Sequence, residues 1–163
     1  MRIKLVDIKG GKATLTAETF DDEPLKRVLA PFKAEPGMSW GNPPGCWWIR
    51  AWVHMPDTDL AKGPGDLAGI CACAVKPGKH ARLKSVVTLD AFRGRGLFAH
   101  LLGFGEELAR ETGVEEFSYF AGPASINAIQ RIGYEIKSVR GPEGGQTWYL
   151  TKRVPLTPAP KQW

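Results

Sequence analysis

The sequence lacks the features that mark membrane or secreted proteins. No stretch approaches about 18 uninterrupted apolar residues, so no membrane span is predicted. Residues 1–18 are charged and interrupted by glycines before any apolar run reaches signal-peptide length. Cys46, Cys71 and Cys73 are odd in number and show neither CxxC nor Cys/His metal spacing. We therefore expect a cytoplasmic protein with no disulfide framework, no metal site and no membrane partner.

Composition and length point to an ordinary globular domain. Of 163 residues, 43% are hydrophobic and 24% are charged, which excludes wholesale disorder. A chain of this length most often forms one core, so we expect a single domain over residues 1–153 and a proline-rich tail over residues 154–163. The net charge of +5 favours phosphorylated or polyanionic partners but does not require them.

Periodicity predicts mostly antiparallel strands in the first half of the chain. RIKLVDI and KATLTAE alternate apolar and polar residues around Gly10-Gly11, the pattern of a hairpin. A short helix over EPLKRVLAPF is predicted to begin at the cap Asp22. WWIRAWVHM, LAGICACAV and RLKSVVTL follow with short connections, which favours an antiparallel meander.

The second half alternates strands and helices. Apolar residues at spacings of four and three predict a helix over residues 94–112. EEFSYFA reads as a strand, SINAIQRI as a short helix that closes at Gly133, and YEIKSVR with QTWYLTKR as a final hairpin.

The turn between RLKSVVTL and the long helix combines glycine with positive charge. Arg93, Gly94, Arg95 and Gly96 precede the apolar helix directly. Glycines let backbone N–H groups approach an anion closely, and the first turn of the helix adds unpaired donors and the positive end of its dipole. Arginines can bind phosphate oxygens with two hydrogen bonds. The turn therefore predicts an anion site, with a solvated basic turn as the alternative.

A dinucleotide-binding fingerprint also matches this turn, since GRGLFA fits G-x-G-x-x-A at Gly94, Gly96 and Ala99. Its context is wrong. The first glycine should follow the strand almost directly, yet residues 90–93 intervene, and Glu115 and Glu116 precede their strand instead of ending it.

Two elements of the sequence resemble the GNAT superfamily of acyl-CoA N-acyltransferases. RGRGLF, residues 93–98, is similar to that family's pyrophosphate loop, Gln/Arg-x-x-Gly-x-Gly/Ala, at Arg93, Gly96 and, imperfectly, Phe98. SINAIQRIGYEI, residues 125–136, resembles its second element, a short helix ending in Gly-Phe or Gly-Tyr before a strand. The resemblance covers about residues 67–152.

The resemblance implies a fold, a cofactor and a set of binding residues. The fold is an α/β (α+β) GNAT-like mixed, mostly antiparallel sheet of about six to seven strands, with splayed central strands and flanking helices. The cofactor is acetyl-CoA or another acyl-CoA. Its pyrophosphate would bind the loop and its pantetheine arm would pair with the splayed strand. The implied cofactor-binding residues are Val86, Val87, Thr88, Arg93, Gly94, Arg95, Gly96, Leu97, Phe98 and Asn127.

The sequence departs from the family at its usual acid and base. The family's frequent carboxylate falls at residues 82–84, which contain Arg82 and Lys84, and its frequent tyrosine falls at Ile129. Substitutes are Ser125, in the turn entering the second helix, and Asp90, after the strand at the loop. Ser125 has an alternative role as a helix cap, and Asp90 could equally hold Arg93 or Arg95 in place.

Tryptophan is concentrated before and within one strand, close to where the family commonly forms its acceptor site. Trp40 lies in a Gly-Pro loop and Trp47 begins the strand, and both are candidate substrate-binding residues. Alternation places Trp48 and Trp52 on one face, where they could fill a core.

The resemblance predicts an acyl-CoA-dependent N-acyltransferase that transfers acetyl to an amine on a small molecule or macromolecule. The basic charge and the Trp-rich segment leave a second hypothesis open, a nucleic-acid-modifying enzyme resembling phage Mom-type proteins that alter DNA bases. A third is a non-catalytic CoA-binding module. A monomer and a homodimer both fit the sequence.

Overall fold

The computed structural model describes residues 1–32, 41–54 and 65–155. One eight-stranded sheet has the order β1-β2-β3-β4-β5-β6-β8-β7. The strands are β1 (Arg2–Ile8), β2 (Gly11–Glu18), β3 (Trp47–His54), β4 (Asp66–Lys76), β5 (His80–Thr88), β6 (Glu116–Ala121), β7 (Glu135–Arg140) and β8 (Thr147–Arg153). The helices are α1 (Asp22–Leu29), α2 (Leu97–Glu111) and α3 (Ile126–Arg131). The predicted mixed GNAT-like fold is confirmed, with slightly more strands than the expected six to seven.

The strands before α2 pair as their alternation predicts. β1 and β2 form an antiparallel hairpin in which Ile8 faces Gly11, and Gly10 takes the positive φ of +84° that the tight turn requires. β2, β3, β4 and β5 follow as successive antiparallel neighbours. The predicted meander of β3, β4 and β5 is confirmed.

The sheet opens between β5 and β6. These strands are parallel, and their pairing covers only His80 with Glu116, Ala81 with Phe117 and Arg82 with Ser118. β5 continues to Thr88 and β6 to Ala121 without further pairing to each other. β5 also carries a bulge, because two residues lie between Lys84 and Val87 where β4 has one, and Ser85 adopts a φ of +54°. We call the unpaired region beyond Arg82 and Ser118 the strand gap.

The two faces of the sheet carry separate cores. One face, here the α2/α3 face, holds most of the buried side chains, including Leu83, Phe117 and Tyr119, against Leu101 of α2 and Ile129 of α3. The opposite face, here the α1 face, packs against α1 and contains Leu25, Phe32, Cys46, Trp48, Ile70, Ala72 and Ala74. Because alternate residues of a strand point to opposite faces, β6 presents Phe117 and Tyr119 to one side and Ser118 and Phe120 to the other.

Two helix starts differ from the sequence prediction. The cap of α1 is Asp21 and Asp22 is its first residue, so the expected cap lies one position too late. The long helix begins at Leu97, three residues after the expected start, because Gly94 and Gly96 have φ values of +77° and +84° that a right-handed helix cannot include.

A glycine lets α2 lie close to the sheet. A Cβ added at Gly105 would lie 2.8 Å from the Leu83 side chain and 3.3 Å from that of Ile49. The next residue, Glu106, is buried and accepts hydrogen bonds from Tyr134 Oη at 3.0 Å and from Lys152 Nζ at 3.1 Å. These bonds tie α2 to the end of the second family element and to β8.

The start of the predicted tail is docked. The Val154 amide donates to the Glu115 carbonyl at 2.8 Å, and Arg110 donates to the Pro155 carbonyl at 3.1 Å. Residues 156–163, the rest of that segment, lie outside the described residues.

Across the described ranges, the longest helices are too short or too polar to traverse a lipid bilayer.

Buried thiols give the stability of this protein a predictable pH dependence. Burial raises the pKa of Cys46 to about 11 and that of Cys73 to about 12, from a usual value of 9.0. Above about pH 9 the unfolded thiols therefore ionise before the folded ones, and the free energy of unfolding falls with rising pH. We expect a loss of about 1.4 kcal/mol per thiol for each pH unit above that point.

Urea denaturation under reducing conditions at about pH 8 and about pH 10 measures this loss. Cys46→Ala removes one thiol, so its unfolding free energy should decrease less over that interval than that of the parent. Equal decreases in both proteins would contradict the assignment.

Candidate functional site: a basic loop beside a gap in the sheet

The loop between β5 and α2 is open. After a 3-10 turn over Asp90–Phe92, Gly94 and Gly96 take positive φ values, and Gly96 caps α2 without a side-chain hydrogen bond. A Cβ added at either glycine meets nothing within 4 Å. The first amides of a helix lack partners within it, and the space around the two glycines that precede α2 is open. The geometry suits an anion held by main-chain N–H groups.

The two arginines of the loop have different surroundings. Arg93 is exposed; its Nε lies 3.2 Å from Asp90 Oδ1 and donates to the Thr88 carbonyl at 3.3 Å. Arg95 donates to the Lys9 carbonyl at 3.1 Å, while the Lys9 amide donates back to the Arg95 carbonyl at 3.3 Å. Arg95 thus anchors the β1–β2 turn to the loop. Arg93 is the more accessible cation.

Asp90 lies on the loop. Its side chain is 90% exposed and forms an ion pair with Arg93. This pair is the alternative role that the sequence analysis offered for Asp90. A positioning role for Asp90 is supported by this pair, and its catalytic role stays a prediction.

The residues predicted to bind pantetheine border the strand gap. Val87 and Thr88 pair with Ile70 and Gly69 of β4 on one side, while β6 pairs with no residue of β5 beyond Arg82 on the other. Val86 packs against the α2/α3 core and is half-buried. The backbone of residues 86–88 therefore has one edge facing the gap, where an extended ligand could pair with it as a strand does.

A tyrosine that the sequence analysis did not single out lies at this gap. Tyr119 is the first β6 residue beyond the last pair, Arg82 with Ser118, and its side chain points to the α2/α3 face. Its ring contacts that of Phe98, from the first turn of α2, edge to face with centroids 6.4 Å apart. Ser125 hydrogen-bonds the phenol, and burial raises the Tyr119 pKa well above its usual value. β6, α2 and the start of α3 thus converge here.

Ser125 precedes α3 but makes no side-chain cap bond. Its hydrogen bond to Tyr119 replaces the capping role that sequence offered as the alternative. Asn127, predicted to contact the cofactor, is an exposed residue in the first turn of α3. Ser125 lies beside Tyr119 and Asn127 lies two residues further along the chain, and the roles of both remain predictions.

An apolar residue and two cations occupy the positions at which the resemblance places the family's usual acid and base. Ile129 is fully buried in the α2/α3 core. Arg82 and Lys84 point to the α1 face, since they pair with Ala74 and Ala72 of that core. Lys84 is buried, its ammonium donates to the Gly41 carbonyl, and burial lowers its pKa.

A cavity of about 370 Å³ opens on the α1 face beside the gap. Arg82, Ser118 and Phe120, the residues at which β5 and β6 separate, contribute to its wall. β7 and β8 contribute the opposite wall, which includes Arg140 and Tyr149. The gap therefore has Tyr119 on one face of the sheet and this cavity on the other.

The tryptophans occupy different environments. Trp47 is half-buried, packs against the α2/α3 core and pairs with Cys73, one strand away from β5. Trp48 is fully buried, as the alternation predicts, whereas Trp52 is half-buried and donates to Thr16 Oγ1 at 3.1 Å. Trp40 lies outside the described residues. The substrate-binding roles of Trp40 and Trp47 stay predictions.

Comparison with known proteins agrees with this geometry. The sequence profile of the acetyltransferase (GNAT) family matches residues 14–134, a region that includes the loop, the strand gap and Tyr119. No curated protein matches the sequence significantly.

Solved structures share the fold at low sequence identity. The ribosomal-protein-S18-alanine N-acetyltransferase from Escherichia coli is 12% identical with a TM-score of 0.63, covering 91% of this chain and 99% of its own. The GNAT domain of S. lividans PAT is 21% identical with a TM-score of 0.60, covering 93% and 97%. A streptothricin acetyltransferase structure from Bacillus anthracis, solved with acetyl coenzyme A, is 13% identical with a TM-score of 0.56, covering 70% and 65%.

Proposed function

The chain belongs to the acetyltransferase (GNAT) family, and from that premise we propose that it transfers an acetyl group from acetyl coenzyme A to an amine. The observation that carries the proposal is the strand gap, which begins after Arg82 and Ser118 and has an open basic loop after β5 and a cavity on the α1 face beside it. The thioester of acetyl coenzyme A would lie in the gap. The rest of the cofactor would approach from one face of the sheet and the acceptor amine from the other.

The described residues fit acetyl coenzyme A, the cofactor of this family. The amides of residues 94–98 and the Arg93 guanidinium would hold its pyrophosphate, because the surface over Gly94 and Gly96 is open and Arg93 is exposed. The free edge of residues 86–88 would pair with its extended arm. When bound, the cofactor supplies an activated acetyl thioester.

Acetylation of an amine requires one proton at the departing sulfur and removes one from the nitrogen. We assign the first proton to the Tyr119 phenol, which borders the gap on the cofactor side and stays protonated because burial raises its pKa. Ser125 holds the phenol in position through its hydrogen bond.

The charge state of the acceptor amine depends on other residues, those on the opposite face of the sheet. The cavity on the acceptor side is lined by Lys76, Arg82 and Arg140 and by no acidic residue, and this excess of positive charge would disfavour the charged ammonium form of a nearby amine. The neutral amine, which is the nucleophile, is thereby favoured without a carboxylate base, and the proton that the nitrogen loses as the C–N bond forms would pass to solvent water. Alignment of amine and thioester across the gap would supply much of the remaining rate enhancement.

Calorimetry and turnover together test the proposal. We expect saturable one-to-one binding of acetyl coenzyme A, and release of free coenzyme A, measured by chromatography, when a panel of small amines is added. Failure of acetyl coenzyme A to bind would refute the proposal. Binding without acetylation of any amine favours the non-catalytic module instead.

The alternative of DNA modification is tested in the same experiments. Single-stranded and duplex DNA are titrated at two salt concentrations, because binding through phosphates weakens steeply with salt. Strong salt-dependent DNA binding without acetylation of small amines would favour the nucleic-acid enzyme.

A further inference from the structure

Three cations that line the cavity on the α1 face have no acidic partner in the described part of the chain, whereas Nδ1 of the lining residue His80 lies 3.8 Å from Glu116 Oε1. The lining residues of the cavity are Lys76, His80, Arg82, Ser118, Phe120, Ser138, Arg140, Thr147 and Tyr149, and none of them is acidic. Lys76, Arg82 and Arg140 form no ion pair with any carboxylate among residues 1–32, 41–54 and 65–155. Many other basic side chains of this protein do, including Arg2, Lys4, Arg50 and Lys152.

Arg82 is the most constrained of the three cations. Its guanidinium lies over the Phe120 ring, 4.7 Å from the centroid, and its Nε is buried with no hydrogen-bond partner in the described part of the chain. A buried N–H without a partner is costly, and a guanidinium fork matches the oxygens of a carboxylate or phosphate. The geometry suits an anionic group that completes the hydrogen bonds of Arg82.

The remaining walls give the cavity a small, partly aromatic interior. The rings of Phe120 and Tyr149 lie 4.9 Å apart between centroids and form one side. The hydroxyl of Ser118, buried below them, is within 2.8 Å of His80 Nε2. A volume near 370 Å³ is in the range of small-molecule sites, which typically measure about 300–1,000 Å³.

We infer that this cavity, lined by Arg82, Arg140 and the Phe120–Tyr149 rings, is the acceptor site, and that the acceptor is a small amine carrying a carboxylate or phosphate. This inference rests on the proposed acetyl transfer. The anion pairs with Arg82 and Arg140, an apolar portion contacts the two rings, and the amine reaches the strand gap at which Arg82 and Ser118 are the last paired residues.

Binding of matched probes tests the site without relying on catalysis. The probes are 3-phenylpropionate against 3-phenylpropionamide, and phosphoethanolamine against ethanolamine, titrated while the arginine side-chain N–H signals are followed by NMR. We expect each anion to bind at least about 10-fold more tightly than its neutral or cationic match, with the Arg82 signal shifted. Equal affinities within both pairs, or no binding of either anion, would overturn the inference.

Variants locate the binding. Arg82→Gln should weaken the anionic probes by about 10-fold or more, the loss of a charge-assisted pair. The matched control is Lys137→Gln on β7, whose lysine pairs with Glu135 outside the cavity lining, and it should bind as the parent does. Unchanged affinity in Arg82→Gln would contradict the site. Thermal unfolding of both variants separates loss of binding from loss of fold.

Turnover then separates this inference from the proposed function and distinguishes the two anions. Phenylalanine is compared with phenethylamine, and phosphoethanolamine with ethanolamine, as acceptors for acetyl coenzyme A. Faster acetylation of the anionic members supports both conclusions and shows which anion is preferred. Faster acetylation of the neutral-tailed members keeps the transferase and rejects the anionic acceptor. If the protein does not bind acetyl coenzyme A, the proposed transferase activity is rejected. The probe titrations still show whether the cavity binds anions.

Discussion

Replacing Gly96 with aspartate is expected to weaken acetyl coenzyme A binding by about 100-fold while leaving the fold intact. The glycine caps α2 in an open loop, and a Cβ added there meets nothing within 4 Å. A carboxylate at this position would therefore project into the space where the pyrophosphate belongs. Two like charges about 4 Å apart repel by a few kcal/mol near a protein surface, and about 1.4 kcal/mol is a tenfold change in affinity.

Gly96→Asn is the matched control. Asparagine has the size of aspartate and visits the left-handed backbone region about as readily, so both variants share the cost of the φ of +84°. We expect Gly96→Asn to bind within about tenfold of the parent, and calorimetry of both variants with acetyl coenzyme A measures the difference. If aspartate and asparagine weaken binding equally, charge at the loop is irrelevant and the pyrophosphate lies elsewhere.

The place of the loop between β5 and α2 could be predicted from the sequence because its determinants are local, although the helix was expected to begin three residues too early. Two glycines at alternate positions before an apolar period define where α2 can begin, and the structure gives both of them positive φ values. The antiparallel strands could also be predicted, since alternating residues and turn residues specify hairpins between strands that are neighbours in the chain. Even the burial of Trp48 followed from alternation within one strand.

The chemistry of the gap could not be predicted in this way because it depends on long-range pairing. EEFSYFA shows that Tyr119 and Phe120 face opposite sides of a strand, but it does not show that parallel pairing ends at Ser118. Nor does it show that Phe98 meets Tyr119, because that contact joins a helix to a strand 21 positions further along. The sequence signal that could have identified Tyr119 is its position in the strand before the second family element, two residues after Phe117 and therefore on the same face of that strand.

Because side chains alternate along β5 and β6, the proposed cofactor-binding and acceptor-binding residues lie on opposite faces of the sheet. On the α2/α3 face lie Tyr119 and Phe98, which suit the cofactor. On the α1 face lie Arg82 and Phe120, which suit an anionic acceptor. Arg82 and Lys84 lie where the resemblance to the family implied a carboxylate, so favouring the neutral amine replaces a dedicated base in the proposed mechanism.

Tyr119→Phe is expected to lower kcat by about 100-fold with little change in the KM for acetyl coenzyme A. The substitution keeps the ring that contacts Phe98 and removes only the phenol proton proposed for the departing sulfur. Because burial raises the Tyr119 pKa, the parent should retain its kcat at pH values where an ordinary tyrosine would already ionise. Ser125→Ala should give a smaller loss of kcat, since it removes the hydrogen bond that positions the phenol.

Tyr134→Phe provides the matched control for this prediction. It deletes the hydroxyl of another buried tyrosine, the one that donates to Glu106 of α2 at 3.0 Å. We expect Tyr134→Phe to lower the free energy of unfolding by about 1 kcal/mol and to leave kcat nearly unchanged. Steady-state kinetics and urea denaturation of the two variants distinguish the roles. A Tyr119→Phe protein with the parental kcat, or one whose kcat falls no further than that of Tyr134→Phe, would remove Tyr119 from the mechanism.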